Sequence, residues 1–140
     1  MKKKKVWRYY CDFCKKSGCS GGHISKHEKS CTMNPGRVCG MCKVIDKTQP
    51  EMGDMLLALS VAKITETTGG DGDFEWVSYS IANQEEALDN LRNIANGCPA
   101  CMLAALRQYG HPFVFDKFNF KAERDSVWAG IREDEERRHY

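Results

Sequence analysis

A chain of 140 residues with 41% hydrophobic and 29% charged side chains can bury only a modest core, in one domain or two small ones. Its net charge of +2 hides an asymmetry: residues 1–49 hold 12 Lys/Arg against 3 Asp/Glu, and residues 50–140 hold 9 against 16. No apolar run approaches the roughly 20 residues of a membrane-spanning helix, and six of the eight cysteines fall in Cys-x-x-Cys pairs, a metal spacing rather than that of a secreted disulfide scaffold.

Lys2 to Lys5 are followed by Val6-Trp7-Arg8 and not by the apolar stretch of a signal peptide. A reduced, intracellular and cytoplasmic protein is expected, with residues 1–8 as a basic disordered tail. Asn34-Pro35-Gly36 marks a turn, placing a boundary between a zinc module at 9–33 and a helical domain at 34–140. Cys39-Gly40-Met41-Cys42 reads as a metal knuckle. Met52, Met55, Leu56, Leu59 and Ala62 recur at helical spacing and predict a helix over 52–66. Thr67 to Asp73 reads as a loop, and Phe74 to Ile81 alternates like a short strand.

Asn83, with Glu86 three residues on, predicts a capping box opening a helix to about Asn96, stopped by Gly97, with Leu88, Leu91 and Ile94 on one face. Cys98-Pro99-Ala100-Cys101 opens another helix over Met102 to Tyr109, ended by Gly110. His111 to Phe120 carries Phe113, Phe115, Phe118 and Phe120 and is expected to be an extended aromatic segment on the core. Lys121 to Tyr140 is expected to be a terminal helix, with Arg137, Arg138 and His139 complementing its dipole.

The chemistry concentrates in the cysteines. Cys11 and Cys14 are followed after twelve residues by His27 and after three more by Cys31. Two thiolates on a tight turn plus two ligands one helical turn apart make a closed tetrahedral site suited to structural zinc. His23, four residues before His27, is an alternative to Cys31, but the His27–Cys31 pairing also puts Ile24 at a core position. Cys19 is left over, a small buried residue or a spare ligand. Residues 9–31 resemble the two-Cys two-His zinc finger in the variant whose last ligand is Cys, on Tyr9, Cys11, Cys14, Ile24, His27 and Cys31. The resemblance implies two short strands and a helix. It also implies base-facing positions at Ser20, His23 and Lys26, with Lys15, Lys16 and Lys29 available to phosphates. Gly18 stands where the family places a large residue, so Phe13 or the rest of the chain must complete the small core. Gly21-Gly22 weakens the helix start.

Cys39, Cys42, Cys98 and Cys101 form a second four-ligand set, with 55 residues between the pairs. A knuckle combined with a helix N-terminus resembles a treble-clef zinc site, here with a helical hairpin (52–66 and 83–96) inserted. The competing grouping joins Cys11, Cys14, Cys39 and Cys42 into a zinc ribbon. Treble clefs also serve His-Asn-His nucleases, for which His111 is the available histidine, but no carboxylate-plus-His motif accompanies it. Asp71-Gly72-Asp73 lacks the downstream ligands of a calcium loop and reads as a turn. Phosphate-binding loops and dinucleotide fingerprints are absent from the sequence.

The expectation is a mostly helical α+β protein with two zinc ions and no catalysis: a ββα-type finger followed by a treble-clef-like helical domain. Its basic finger is expected to bind nucleic acid, DNA rather than RNA, or a nucleic-acid-bound protein complex, while the acidic body docks a protein partner. In composition and motif layout the chain resembles small zinc-binding proteins of bacteriophages. That resemblance implies the rival reading, an inhibitor or adaptor binding a host protein in the host cytoplasm. A metal-dependent nuclease is the third reading.

Overall fold

The computed structural model describes residues 1–110 and 115–138. Among them the chain forms six helices and two small antiparallel sheets, an α+β architecture. His111, Phe113, His139 and Tyr140 lie outside the described residues, and with them part of the expected aromatic segment and the end of the last helix.

The N-terminal module pairs β1 (Tyr9–Tyr10) with β2 (Ser17–Gly18) and follows them with α1 (Gly21–Ser30). Helix α1 starts despite Gly21-Gly22 because the Ser20 side chain caps it, accepting from the His23 N–H at 3.4 Å. Tyr9 closes over the same turn: a Cβ on Gly21 would lie 3.2 Å from its ring. The small core is Cys11, Ile24 and Cys31 with Cys14 against it. Phe13 does not fill the place left by Gly18; it is exposed. The support comes from the rest of the chain. Gln108 Nε2 donates to the carbonyls of Thr32 and Asn34 at 2.8 and 3.2 Å, and Arg107 Nη1 to Thr32 Oγ1 at 3.0 Å.

The larger core lies between α3 (Met52–Leu59), α4 (Gln84–Ile94) and α5 (Pro99–Tyr109). Met52, Met55, Leu59, Ala87, Leu88, Leu91, Met102, Ala105 and Leu106 are buried there together with Cys39, Cys42, Cys98 and Cys101. Phe115 joins them, edge-on to Tyr109 at 6.3 Å between ring centroids. Ile94, expected on the apolar face of α4, is exposed. Gly110 ends α5 in the left-handed conformation, φ 95°, a backbone state that costs glycine nothing.

Two expectations are corrected. The helix over 52–66 stops at Leu59. From Ile64 the chain enters β3 (Ile64–Gly70), which pairs antiparallel with β4 (Glu75–Ile81). A β-hairpin therefore leads from α3 into α4, the second half of the expected helical hairpin. The β-branched run Ile64-Thr65 and Thr67-Thr68 favours the strand, and Asp71-Gly72-Asp73 supplies its turn, with φ 94° at Gly72. Asn83 does not make the predicted capping box, since it caps no N–H of α4. Its side chain accepts from the Lys63 N–H at 2.7 Å and donates to the Val61 carbonyl at 2.8 Å, pinning the hairpin's base.

Helix α6 (Phe120–Arg138) buries no residue and is held to α4 by the Arg92–Glu123 ion pair at 2.7 Å. No helix among the described residues is long and apolar enough to cross a membrane, and all eight cysteines are free.

Candidate metal centres

The structure gathers the cysteines into two groups of four ligands: Cys11, Cys14, His27 and Cys31, and separately Cys39, Cys42, Cys98 and Cys101. Within each group the ligand atoms all lie within 4.8 Å of one another. Four sulfurs at about 2.3 Å from a tetrahedral zinc ion sit roughly 3.8 Å apart, so both groups are compatible with zinc, two ions in all. The grouping does not follow the ribbon alternative, and Cys31, not the exposed His23, joins His27. Cys19 is exposed and belongs to neither group.

In the first centre the turn between β1 and β2 carries Cys11 and Cys14, α1 carries His27, and Cys31 caps the end of α1. Backbone amides aim at the sulfurs: Phe13 N–H at Cys11 Sγ and Lys16 N–H at Cys14 Sγ, both at 3.4 Å. Cys14 Sγ lies 3.1 Å from His27 Nε2. The Lys16 amide and then His27 pull the Cys14 thiol down to about 7, whereas burial pushes Cys31 up.

The second centre is built from two matching helix starts. Cys39 is the N-cap of the short helix α2 (Gly40–Val44), and its sulfur accepts from the Cys42 N–H at 3.4 Å. Cys98 is the N-cap of α5, with Pro99 in the first turn. All four sulfurs are buried; Cys39 and Cys98 approach to 3.6 Å and Cys42 and Cys101 to 3.4 Å. Hydrogen bonds from Cys101 and Cys98 hold the Cys39 thiol far below the usual thiol range. Burial pushes Cys42 up to about 12, and the bonds to Cys39 and Cys98 push Cys101 up. Burial and the hydrogen bonds within the cluster thus favour the thiolate at Cys39 and the protonated thiol at Cys42 and Cys101.

A divalent cation has to displace those protons. Zinc uptake is therefore expected to release protons at neutral pH, and zinc affinity to fall as the pH is lowered, because each thiol then holds its proton more firmly. Calorimetric titration in two buffers of different ionisation enthalpy measures this; uptake without proton release would contradict it.

Two side chains that the sequence did not single out complete this centre. Gln49 bridges its loops, accepting from the Cys39 N–H and donating to the Arg37 carbonyl, each at 2.6 Å. Arg37 is only 7% exposed and forms no ion pair with a carboxylate among the described residues. Its Nη1 lies 3.8 Å from Cys101 Sγ, and its Nε is buried without a partner. A buried guanidinium is costly unless an anion lies beside it. Four thiolates around one Zn²⁺ carry a net charge of about −2, the anion this cation lacks. The donor set and the buried cation both fit a tetrathiolate metal centre.

Of the residues expected to meet nucleic acid, Lys15, Lys16, Ser20, His23, Lys26 and Lys29 are all exposed on the N-terminal module. The Ser20 hydroxyl is engaged as the cap of α1. Comparison with known proteins gives no match to a family model, to a curated protein or to a solved structure.

Proposed function

We propose that the chain is a non-catalytic, two-zinc protein whose N-terminal finger binds nucleic acid. The observation that carries this reading is the state of the finger's cations. Lys15, Lys16, Lys26 and Lys29 are exposed, and none forms an ion pair among the described residues. They lie on a module with few acids, so their charge faces solvent and is available to phosphate oxygens. His23 and Lys26 lie one turn apart on α1 and are the side chains placed to meet base edges.

The non-catalytic part of this reading is supported by ligand count. Four protein ligands close a tetrahedral zinc and leave no position for an activated water. In this reading the two strands and α1 act as a ββα finger. The second centre, two helix starts sharing one zinc, acts as a treble-clef-like staple that carries the finger. One finger covers only about three base pairs, so sequence preference would have to be supplemented by a partner protein.

The test is a salt titration of the zinc-loaded chain on labelled duplex and single-stranded DNA and RNA. Affinity for duplex DNA is expected to fall steeply with salt, by a log–log slope of about 0.9 per phosphate contact. Removing Lys15, Lys16 and Lys26 is expected to weaken binding and reduce the slope by about one per lysine that touches a phosphate. Absence of binding at low salt would overturn the reading and leave a protein partner as the target.

A further inference from the structure

β3 and β4 are the longest strands among the described residues, yet they form a sheet by themselves. The register runs from Ile64↔Ile81 to Gly70↔Glu75, and among the described residues the base of the hairpin packs on the core through Ile81. Every residue from Asp71 to Ser80 is exposed, including Phe74, Trp76 and Val77 at 70%, 44% and 52%. A lone two-stranded hairpin is marginal in water, and among the described residues no third strand pairs with either outer edge.

The apolar surface is held in place. Trp76 lies opposite Gly69, and a Cβ on Gly69 would overlap its indole ring. The ring therefore lies directly over the neighbouring backbone, a preset plate for another chain. The charge of the hairpin says what kind of chain. Ile64 to Ile81 contains Glu66, Asp71, Asp73 and Glu75 and no Lys, Arg or His. That excludes phosphate backbones and anionic lipid surfaces and selects a cationic polypeptide.

The protein carries such a segment. Met1–Arg8 has Lys2, Lys3, Lys4, Lys5 and Arg8 around Val6 and Trp7, and it has no regular secondary structure. Trp7 is 83% exposed, and the root of the arm is tied to its own finger by the Arg8 Nε bond to Ser17 Oγ at 3.1 Å. The arm does not lie on the hairpin of its own chain.

We propose that the β3–β4 hairpin is the docking face for the N-terminal arm of a second copy of this chain. The arm adds as an extended strand to a free edge of the hairpin. Trp7 and Val6 cover the Trp76 and Val77 region, and the lysines meet the hairpin's carboxylates. Reciprocal exchange of the two arms closes a two-fold dimer. The lysines of α1 and the turn before it are not used and stay open, so this dimer is independent of nucleic-acid binding.

Sedimentation equilibrium of the full zinc-loaded chain at low and high salt tests the proposal. A dimer that dissociates as salt is raised is expected. Reversing the hairpin charge (Asp73→Lys with Glu75→Lys), or the arm charge (Lys2→Glu, Lys3→Glu, Lys4→Glu and Lys5→Glu), should each weaken it by about tenfold or more, because like charges then face each other. Joining the two reversals in one chain should restore it. All these positions are exposed, and a zinc content equal to that of the unmodified chain confirms that each variant folds. A monomer at low salt, a dimer indifferent to either reversal, or a joint variant that stays monomeric would overturn the proposal.

Discussion

Replacing Cys98 by Ser is expected to lower the zinc content from two ions per chain to one and to melt the helical body. Cys98 is fully buried at the start of α5, and its sulfur faces Cys39 from the far side of the sequence. The four ligands come in two pairs separated by 55 residues, so one metal ties α2 to α5 and closes everything between them into a loop. A structural zinc is worth roughly 10–16 kcal/mol in apparent binding, comparable to or above the roughly 5–15 kcal/mol net stability of a whole domain. The core it holds is small and rich in alanine and methionine, so little other burial replaces the loss. The Cys11, Ile24 and Cys31 cluster is separate from that core. The finger zinc should therefore survive Cys98→Ser, while Cys14→Ser should remove the finger zinc and leave most helical signal. Elemental analysis with far-ultraviolet circular dichroism melts of both variants measures this. An unchanged zinc count in Cys98→Ser, or loss of both ions in Cys14→Ser, would contradict it.

The ligands were legible in the sequence because Cys-x-x-Cys is a local signal: both ends of a knuckle fall within one turn, whatever the rest of the chain does. Helix starts and stops at Pro99 and Gly110 were legible for the same reason. The hairpin was not. Met52, Met55 and Leu59 do line one helical face, but Ala62 continues that spacing by coincidence, and the strand that follows is stabilised by a partner strand whose base residue, Ile81, lies well outside the helical window. Periodicity within a window cannot register such pairing. Asn83 carried a valid capping signal, and a long-range pair of backbone groups at Val61 and Lys63 outbid it. Arg37 had no signal at all. An arginine beside Pro35-Gly36 reads as an exposed turn residue, and only the fold places its guanidinium against Cys101, 64 residues on.

That burial makes Arg37 the side chain outside the ligand set with the largest expected effect on the second centre. Arg37→Met keeps much of the volume and removes the charge; Arg37→Lys keeps the charge and loses the planar fork of donors. A tetrathiolate zinc centre is a dianion, and Arg37 is the cation whose guanidinium touches one of its sulfurs among the described residues. Partners that touch metal ligands in this way typically change metal affinity by about 10–100-fold when removed. Arg37→Met is accordingly expected to weaken zinc at this centre by that factor, with the finger's affinity unchanged as an internal control. Arg37→Lys should recover part of the loss. Chelator competition that resolves the two ions in order of release gives both numbers from one titration. The ordering of the two variants separates charge from packing. If Met and Lys weaken the site equally, Arg37 acts by filling space. If Lys recovers affinity, the positive charge beside Cys101 is what holds the thiolate form in place, and the buried arginine balances the charge of the metal centre rather than serving as an ordinary core residue.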